Sequence, residues 1–467
     1  MKNEELNIRN EESRMKNRKW LTRMICASLF FILHSSLFIS TQAQNGFNMP
    51  YSQFGVGLNE MNGNMPIINR MGGVAYTRSG SNYINPFNPA SYAAISTESF
   101  VFDMSASIYL TKLQNNTSSL NDAEGNINYL LCGFPITKWW KLAGGLMSCS
   151  TVDYASVSQG TYLDSSIVKN IYDGNGGVSM VIVGSAFNII GDGRPEGRRL
   201  QLGFNIDYLT GRIQRAISYA FQGNDSTFYM DSRRFKETSV SNVLFDFGVQ
   251  YWEPLGEKYT LGIGLTYKPY RNMSVTDKAL IYTYHSSDQS LVDTIFPAAG
   301  QSPEFSSSLK LDHTFGIGLS LERNNRWLVA ADATFAGWSG LYYKEGMNPS
   351  ILGDNFLTTG PYSRYALGFE KIGVMDASTY WGRISWSAGF HTEQGTLRLI
   401  LNGREEVVNE WGFGLGATLP MRKGRSLLTL SINYSSLGSK DLLQRNVLTF
   451  GIAVSSCERW FVKRRYN

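Results

Sequence analysis

From about Ser99 onward the chain repeats one device: short runs that alternate strictly between apolar and small polar residues. Leu428, Leu430, Ile432 and Tyr434 are interleaved with Thr429, Ser431, Asn433 and Ser435. Trp411, Phe413, Leu415, Ala417 and Leu419 are interleaved with Gly412, Gly414, Gly416 and Thr418. Leu261–Lys268, Phe315–Glu322 and Leu448–Ser455 read the same way, and similar runs start near Phe102, Leu202, Phe245 and Ile384. Side chains on a strand alternate faces, so each run predicts a strand with one greasy face and one small, polar face. A soluble sandwich usually sets Lys, Glu and Arg against bulk water. Gly, Ser, Thr and Asn suit the crowded, wet interior of a barrel whose outside meets lipid. Leu430, Phe413 and Ile263 are then expected to face lipid, and Thr429 the lumen.

The segments between the runs behave as connections. Gly191–Gly197 (GDGRPEG) is a tight polar turn, whereas Ser286–Ser308 and Lys344–Thr359 are longer polar stretches expected to be loops on one rim. Trp139, Trp140, Trp252, Tyr342, Tyr343 and Trp381 cluster at run ends, as an aromatic girdle at a membrane interface would; packing into a folded core is the alternative. Residues 44–98 lack sustained alternation but carry Phe54, Ile67, Ile68, Met71 and Tyr76, too apolar for a linker. Within them Asn85-Pro86 and Asn88-Pro89-Ala90 are turn initiators, and Gly72-Gly73 supplies a flexible pair. An ordinary solvent loop is the other reading of those turns.

The amino terminus reads as a targeting segment. Lys16, Arg18, Lys19 and Arg23 precede a short apolar stretch, Ile25 to Ile39. Thr41-Gln42-Ala43 then places small residues where a signal peptidase reads them, so cleavage is expected between Ala43 and Gln44. The apolar stretch falls short of the roughly 20 residues a helical span needs. Translation from Met15 serves this segment as well as translation from Met1. No later stretch would cross a membrane as a helix, so a membrane location requires a closed barrel, in which no backbone group faces lipid unpaired.

Composition narrows the function. Of 467 residues 13% are aromatic, 46 are Gly and only 17% are charged. The formal charge of +5 falls to +2 once residues 1–43, with seven basic and four acidic side chains, are removed. Arg198-Arg199, Arg422-Lys423-Arg425 and Lys463-Arg464-Arg465 lack interleaved aromatics and fit rim charges, so no nucleic-acid partner is expected. Neither HExxH, GxSxG nor a phosphate-binding loop is present. His285, His313 and His391 stand alone, so no metal, cofactor or enzymatic activity is expected. Cys132 and Cys149 fall on consecutive predicted strands, Ile127–Ile136 and Leu142–Val152. A turn near Trp139-Trp140 would set them almost opposite each other, and the periplasmic route favours a disulfide there. A slip of one residue would separate their faces, and two separate thiols are the default expectation.

The stretch from Pro50 to Ile95 resembles the N-terminal region of FadL/TodX-type outer-membrane transporters, in the branch common in Bacteroidota. Arg70-Met71-Gly72-Gly73 and Asn88-Pro89-Ala90-Ser91 carry the resemblance, with Glu410–Gly416 and the closing Arg459–Tyr466 in agreement. The resemblance implies an all-β, antiparallel transmembrane barrel of about 14 strands over residues 99–467, in the outer membrane of a Gram-negative bacterium. It also implies that residues 44–98, after a signal peptide over 1–43, fold into the lumen as a hatch with Asn88, Pro89 and Ala90 at its exit. The first functional reading it implies is a carrier for small, fatty-acid-like hydrophobic molecules. The second is a non-transporting barrel packed into an outer-membrane secretion or assembly complex. A soluble, secreted all-β protein is the third, and the small polar face argues against it. The partners expected are membrane lipid, a hydrophobic small molecule, or other outer-membrane proteins.

Overall fold

The computed structural model describes residues 49–53, 58–59, 65–161, 167–191, 197–222, 230–285, 290–297, 301–324, 326–337, 341–344, 357–401, 404–421 and 425–459. The expected cleavage site at Ala43 and Gln44 and the basic stretch Lys463–Arg465 lie outside these residues.

The alternating runs form a closed antiparallel barrel of 14 strands. In chain order these are β1 (Ser99–Gln114), β2 (Ser119–Pro135), β3 (Trp140–Thr161), β4 (Ile167–Ile190), β5 (Arg199–Gln222) and β6 (Asp231–Leu255). Three interrupted strands follow: β7 (Tyr259–Lys268 and Arg271–Tyr284), β8 (Glu304–Leu311 and Thr314–Arg323) and β9 (Trp327–Ala336 and Leu341–Lys344). The last five are β10 (Leu357–Thr359 and Tyr362–Lys371), β11 (Ser385–Leu401), β12 (Arg404–Met421), β13 (Ser426–Leu437) and β14 (Gln444–Arg459). The ring closes where β1 pairs with β14, from Ser99 opposite Arg459 to Gln114 opposite Gln444. Closure leaves no sheet edge, the condition for a sheet to span lipid. The stretch 286–308 is not all loop: Leu291–Phe296 adds a short ladder at the top of β7, and β8 begins at Glu304.

The two faces separate as the alternation requires. Leu430 and Phe413 are 42% and 45% exposed on the outer wall. Ile263 lies opposite outward-facing Leu319. Thr429 points inward, is fully buried and sits 3.2 Å from the Thr418 hydroxyl. That leaves the inner face no room at this position. Leu430→Arg is expected to cost about 2–4 kcal/mol at mid-membrane, and Thr429→Arg no less, because it overpacks a filled interior. Urea unfolding of the two variants checks this; a Thr429→Arg barrel as stable as wild type would show the inner face to be open.

Aromatics mark the membrane boundaries. Trp139, Trp381, Trp386, Tyr259 and Trp327 lie at the end with short turns, where Trp381 is 72% exposed in the single-turn α2 (Tyr380–Arg383). Tyr267, Phe315, Phe335, Tyr365 and Trp411 lie toward the other end. From Trp327 to Phe335 along β9 is roughly 26 Å at about 3.3 Å per residue, which matches the apolar band of about 25 Å in such barrels. Trp252 departs from the girdle expectation: it is buried on the inner face, with the Arg199 guanidinium 4.4 Å from its ring centre. Trp140 is half-buried and donates to Ser185 Oγ at 2.8 Å. Tyr342 and Tyr343 belong to β9, and their side chains lie outside the described set.

Strands β3 to β6 have 22, 24, 24 and 25 residues, more than twice the ~10 needed to cross lipid. The excess stands beyond the upper aromatic level, at the end with the long connections, which in such barrels is the cell exterior.

Cys132, Cys149 and Cys457 are not joined in a disulfide. Cys132 lies opposite Gly144, five positions before Cys149. The turn at Trp139-Trp140 forms as expected, but the two cysteines sit at different heights on their strands.

Candidate functional site

The ring is occupied by the chain's own N-terminal segment. Pro66 opens a one-turn helix, α1 (Pro66–Asn69), at the position where its missing N–H has no intrahelical role. Gly72 and Gly73, at φ 67° and 84°, turn the chain out of it, and Gly73 N–H donates to Ile68 O at 3.1 Å. Asn85 ties the next turn: its amide donates to Ala75 O and Arg78 O at 2.7 and 2.8 Å, and its Oδ1 accepts from Phe87 N at 3.1 Å. Asn88 caps a short 3-10 helix (Pro89–Ala94), with Oδ1 accepting from Ala90 N at 3.1 Å. Its extended backbone is the conformation Pro89 imposes on the residue before it. The Asn-Pro-Ala turn is therefore buried and built into the interior; it is not a solvent loop.

The segment touches the inner side of ten of the 14 strands at glycines. A Cβ on Gly203 would fall on the Pro89–Ala90 peptide, one on Gly389 on the Met71–Gly72 peptide, and one on Gly264 on the Tyr76 carbonyl. Gly184 faces the Tyr92 ring, Gly248 faces Asn88, Gly316 and Gly318 face Tyr76, and Gly368 lies against Met71. Gly414 lies against Asn69, Gly416 against Arg70 and Gly451 against Pro66. The small inner face read from the alternating runs thus serves close backbone approach more than a wet lumen.

Charged and polar groups bolt the contact. Glu370 on β10 accepts from Arg70 Nη2 at 2.7 Å and Arg78 Nη1 at 2.8 Å, with all three side chains nearly or wholly buried. Arg70 also donates to Ser387 Oγ at 2.9 Å. Asp332 on β9 accepts from the backbone N–H groups of Ala75 and Tyr76 at 2.6 and 2.9 Å. Arg364 donates to the carbonyls of Gly72 and Gly73, both at 3.2 Å. Asn88 Nδ2 and Gln250 Nε2 both donate to Tyr76 O, at 2.8 and 2.7 Å. Tyr92 donates to Asn205 at 3.0 Å, and Asp103 accepts from Ile84 N at 3.1 Å. Toward the exterior, Met49 N–H donates to Asp153 O at 2.6 Å and Tyr51 to Leu443 O at 2.6 Å, so residues 49–51 bridge β3 and the connection after β13.

Sequence reading singled out Asn88, Pro89, Ala90, Gly72, Gly73, Asn85 and Pro86; the structure sets six of them against the wall, and Asn85 ties a turn within the segment. It missed the strand partners Asp103, Asp332, Arg364 and Glu370. Their signal was a charge on a face otherwise made of Gly, Ser and Thr. His313 lies on the outer wall against Tyr267, and His391 on β11 reaches Glu410 at 3.5 Å. Among the described residues no group of three or more His, Cys, Asp or Glu could hold a metal ion.

The model of the family described as BamG matches residues 24–467. No curated protein matches the chain. Among solved structures, the toluene transporter TbuX of Ralstonia pickettii superposes with a TM-score of 0.51 at 13% identity, covering 87% of this chain and 99% of that one. A FadL homologue of Pseudomonas aeruginosa gives 0.49 at 14%, covering 84% and 98%. The toluene transporter TodX of Pseudomonas putida gives 0.45 at 12%, covering 87% and 98%. At this identity the likeness to TbuX establishes a shared outer-membrane barrel fold.

Proposed function

Because the chain belongs to the BamG family, we propose that it is an outer-membrane barrel closed by its own N-terminal segment, whose working surface is its wall. It acts as a structural subunit of an outer-membrane secretion or assembly complex. The observation that carries this reading is the belt of inner glycines, each filled by backbone or side chain of residues 66–92. A gate that must move to admit a ligand gains little from such a fit. Every displacement would strand Glu370, Asp332 and two arginines without partners, and each buried unpaired polar group costs about 1–3 kcal/mol, more when charged.

The second reading is a hatch-gated carrier for small hydrophobic molecules, residues 44–98 being the hatch. Its support is the apolar inner lining of the tall strands, where Val178, Met180, Leu209, Ile213, Val240 and Leu244 form one buried cluster, together with a fold shared with a toluene transporter.

Asn88→Ala combined with Pro89→Ala separates the two. It removes the Asn88 hydrogen bonds to Tyr76 O and Val249 O and the preset turn, and loosens the exit into β1 while the strand ladders persist. For a structural subunit, single-channel conductance and uptake of a radiolabelled fatty acid or aromatic hydrocarbon are expected to be nil in wild type. Gentle purification from its own membrane is expected to yield a fixed-stoichiometry complex with other outer-membrane proteins. Ligand uptake by wild type that the double variant abolishes would instead establish the carrier.

A further inference from the structure

On the outward side of β6 to β9 four aromatics align across four strands. Phe247 lies opposite Tyr267, Tyr267 opposite Phe315 and Phe315 opposite Phe335. One step toward the short-turn end, the outward positions are Val249, Leu265, Ile317 and Ala333. Val249 and Ala333 are short, so an apolar groove of about 320 Å³ opens beneath the aromatic row, floored by the backbone at Gly248 and Gly316. The same glycines press on Asn88 and Tyr76 from within, so the wall is thinned by the requirement of the interior.

Just above the row, two adjacent strands break at one level: β7 between Lys268 and Arg271, β8 between Leu311 and Thr314. The break turns polar groups outward at the upper membrane boundary. The His313 ring stacks on Tyr267 and its Nδ1 lies 2.9 Å from the Tyr267 hydroxyl; the same nitrogen accepts from Tyr270 N at 3.2 Å. The Arg271 guanidinium lies 5.9 Å from the Phe245 ring centre. Arg271 is exposed and makes no ion pair with a described residue. Asp312, the acid beside His313, instead accepts from the His313 backbone N–H at 2.7 Å. A permanent cation at the water boundary, above a hydrocarbon groove that opens only toward the bilayer, complements one class of molecule: an anionic headgroup carrying an acyl chain.

We propose that this groove and Arg271 bind an anionic, phosphate-bearing lipid of the outward leaflet. The acyl chain lies between the Phe315 row and Ile317, and the phosphate pairs with the guanidinium. The site stands whether the barrel scaffolds a complex or carries a ligand, because it uses only the outer wall.

Native mass spectrometry of the folded, delipidated mature chain tests it, with purified lipid A as the probe, phosphatidylcholine of similar chain length as the zwitterionic comparison whose phosphate is already offset by its choline, and inorganic phosphate as competitor. Lipid A is expected to be retained in preference to phosphatidylcholine. Arg271→Gln, a rim change that leaves the wall intact, is expected to weaken retention by about tenfold, the scale of one charge-assisted contact. Val249→Trp, which fills the groove, should weaken it comparably, and Leu430→Trp, far around the wall, should not. Unchanged retention in Arg271→Gln, equal retention of phosphatidylcholine, or displacement of lipid A by inorganic phosphate alone would each overturn the assignment.

Discussion

A barrel carrying Gly203→Val and Gly389→Val together is expected to close normally but to lose the fixed seat of its N-terminal segment. At both positions the new side chain would meet backbone of the N-terminal segment, the Pro89–Ala90 peptide at one and the Met71–Gly72 peptide at the other. A peptide plane cannot swing aside as a rotamer can, so the segment must move as a body. Overpacking of this kind costs roughly 1–3 kcal/mol per site. The strain falls on the segment and not on the wall, since Val is a good strand residue and both positions lie within regular ladders, Gly203 opposite Gly248 and Gly389 opposite Gly414. Residues 46–98 should become protease-sensitive while the barrel keeps its resistance to detergent unfolding, and planar-bilayer recordings should change from silence to a steady current. Gly197→Val is the control, because nothing lies within 4 Å of the Cβ it would add. A doubly substituted barrel that stays silent, with its segment still protected, would mean that the glycines answer to strand packing and not to the segment.

The same glycines show where sequence reading works and where it stops. A period of two is written directly into runs such as Leu428–Ser435, because each side chain is committed to one face by covalent geometry. The strands and their lipid face follow from that period with little else, whereas the number of about 14 comes from the resemblance to the transporters and closure from the demand that no backbone group face lipid unpaired. The Asn88-Pro89 turn is legible for a similar reason, since Pro89 restricts two residues without help from any distant group. The inner face is different. Gly, Ser and Thr there satisfy a wet lumen and a tightly filled one equally well, and only the path of residues 65–95 through the ring decides between them. The partners of that path, Glu370 for Arg70 and Arg78, and Asp332 for the Ala75 and Tyr76 amides, are separated from it by more than 250 positions in sequence. No local pattern carries such a pairing. The cysteines make the same point on a smaller scale: their strands and turn are local and legible, but their relative height depends on the exact register of the hairpin, which sets Cys132 opposite Gly144.

Glu370→Gln is expected to be among the most destabilising single changes in the molecule, and more so than removal of either arginine it binds. In wild type one carboxylate answers two guanidinium groups, with side-chain exposures of 6% for Glu370, 2% for Arg70 and 11% for Arg78. Neutralising the carboxylate leaves two uncompensated cations side by side, away from water. Breaking a buried pair in this way costs about 3–5 kcal/mol, because the partner stays buried without its counter-charge. Arg70→Met, by contrast, leaves Glu370 matched one to one with Arg78 and removes a group held in the interior at a desolvation cost, so its effect should be the smaller. The exposed bidentate pair Arg198–Glu253, at 2.7 and 2.6 Å, provides the scale for an ordinary rim interaction. Glu253→Gln should leave stability close to that of wild type despite the pair's good geometry, because solvent screens it. Urea titrations of the four proteins, followed by tryptophan fluorescence, give the order: wild type and Glu253→Gln together, Arg70→Met lower, Glu370→Gln lowest. Because residues 70 and 78 belong to the segment and residue 370 to the wall, proteolysis of residues 46–98 should follow the same order. If Arg70→Met proves worse than Glu370→Gln, the cluster holds by packing of the Arg70 stem and not by charge, and the segment would be locked by shape alone.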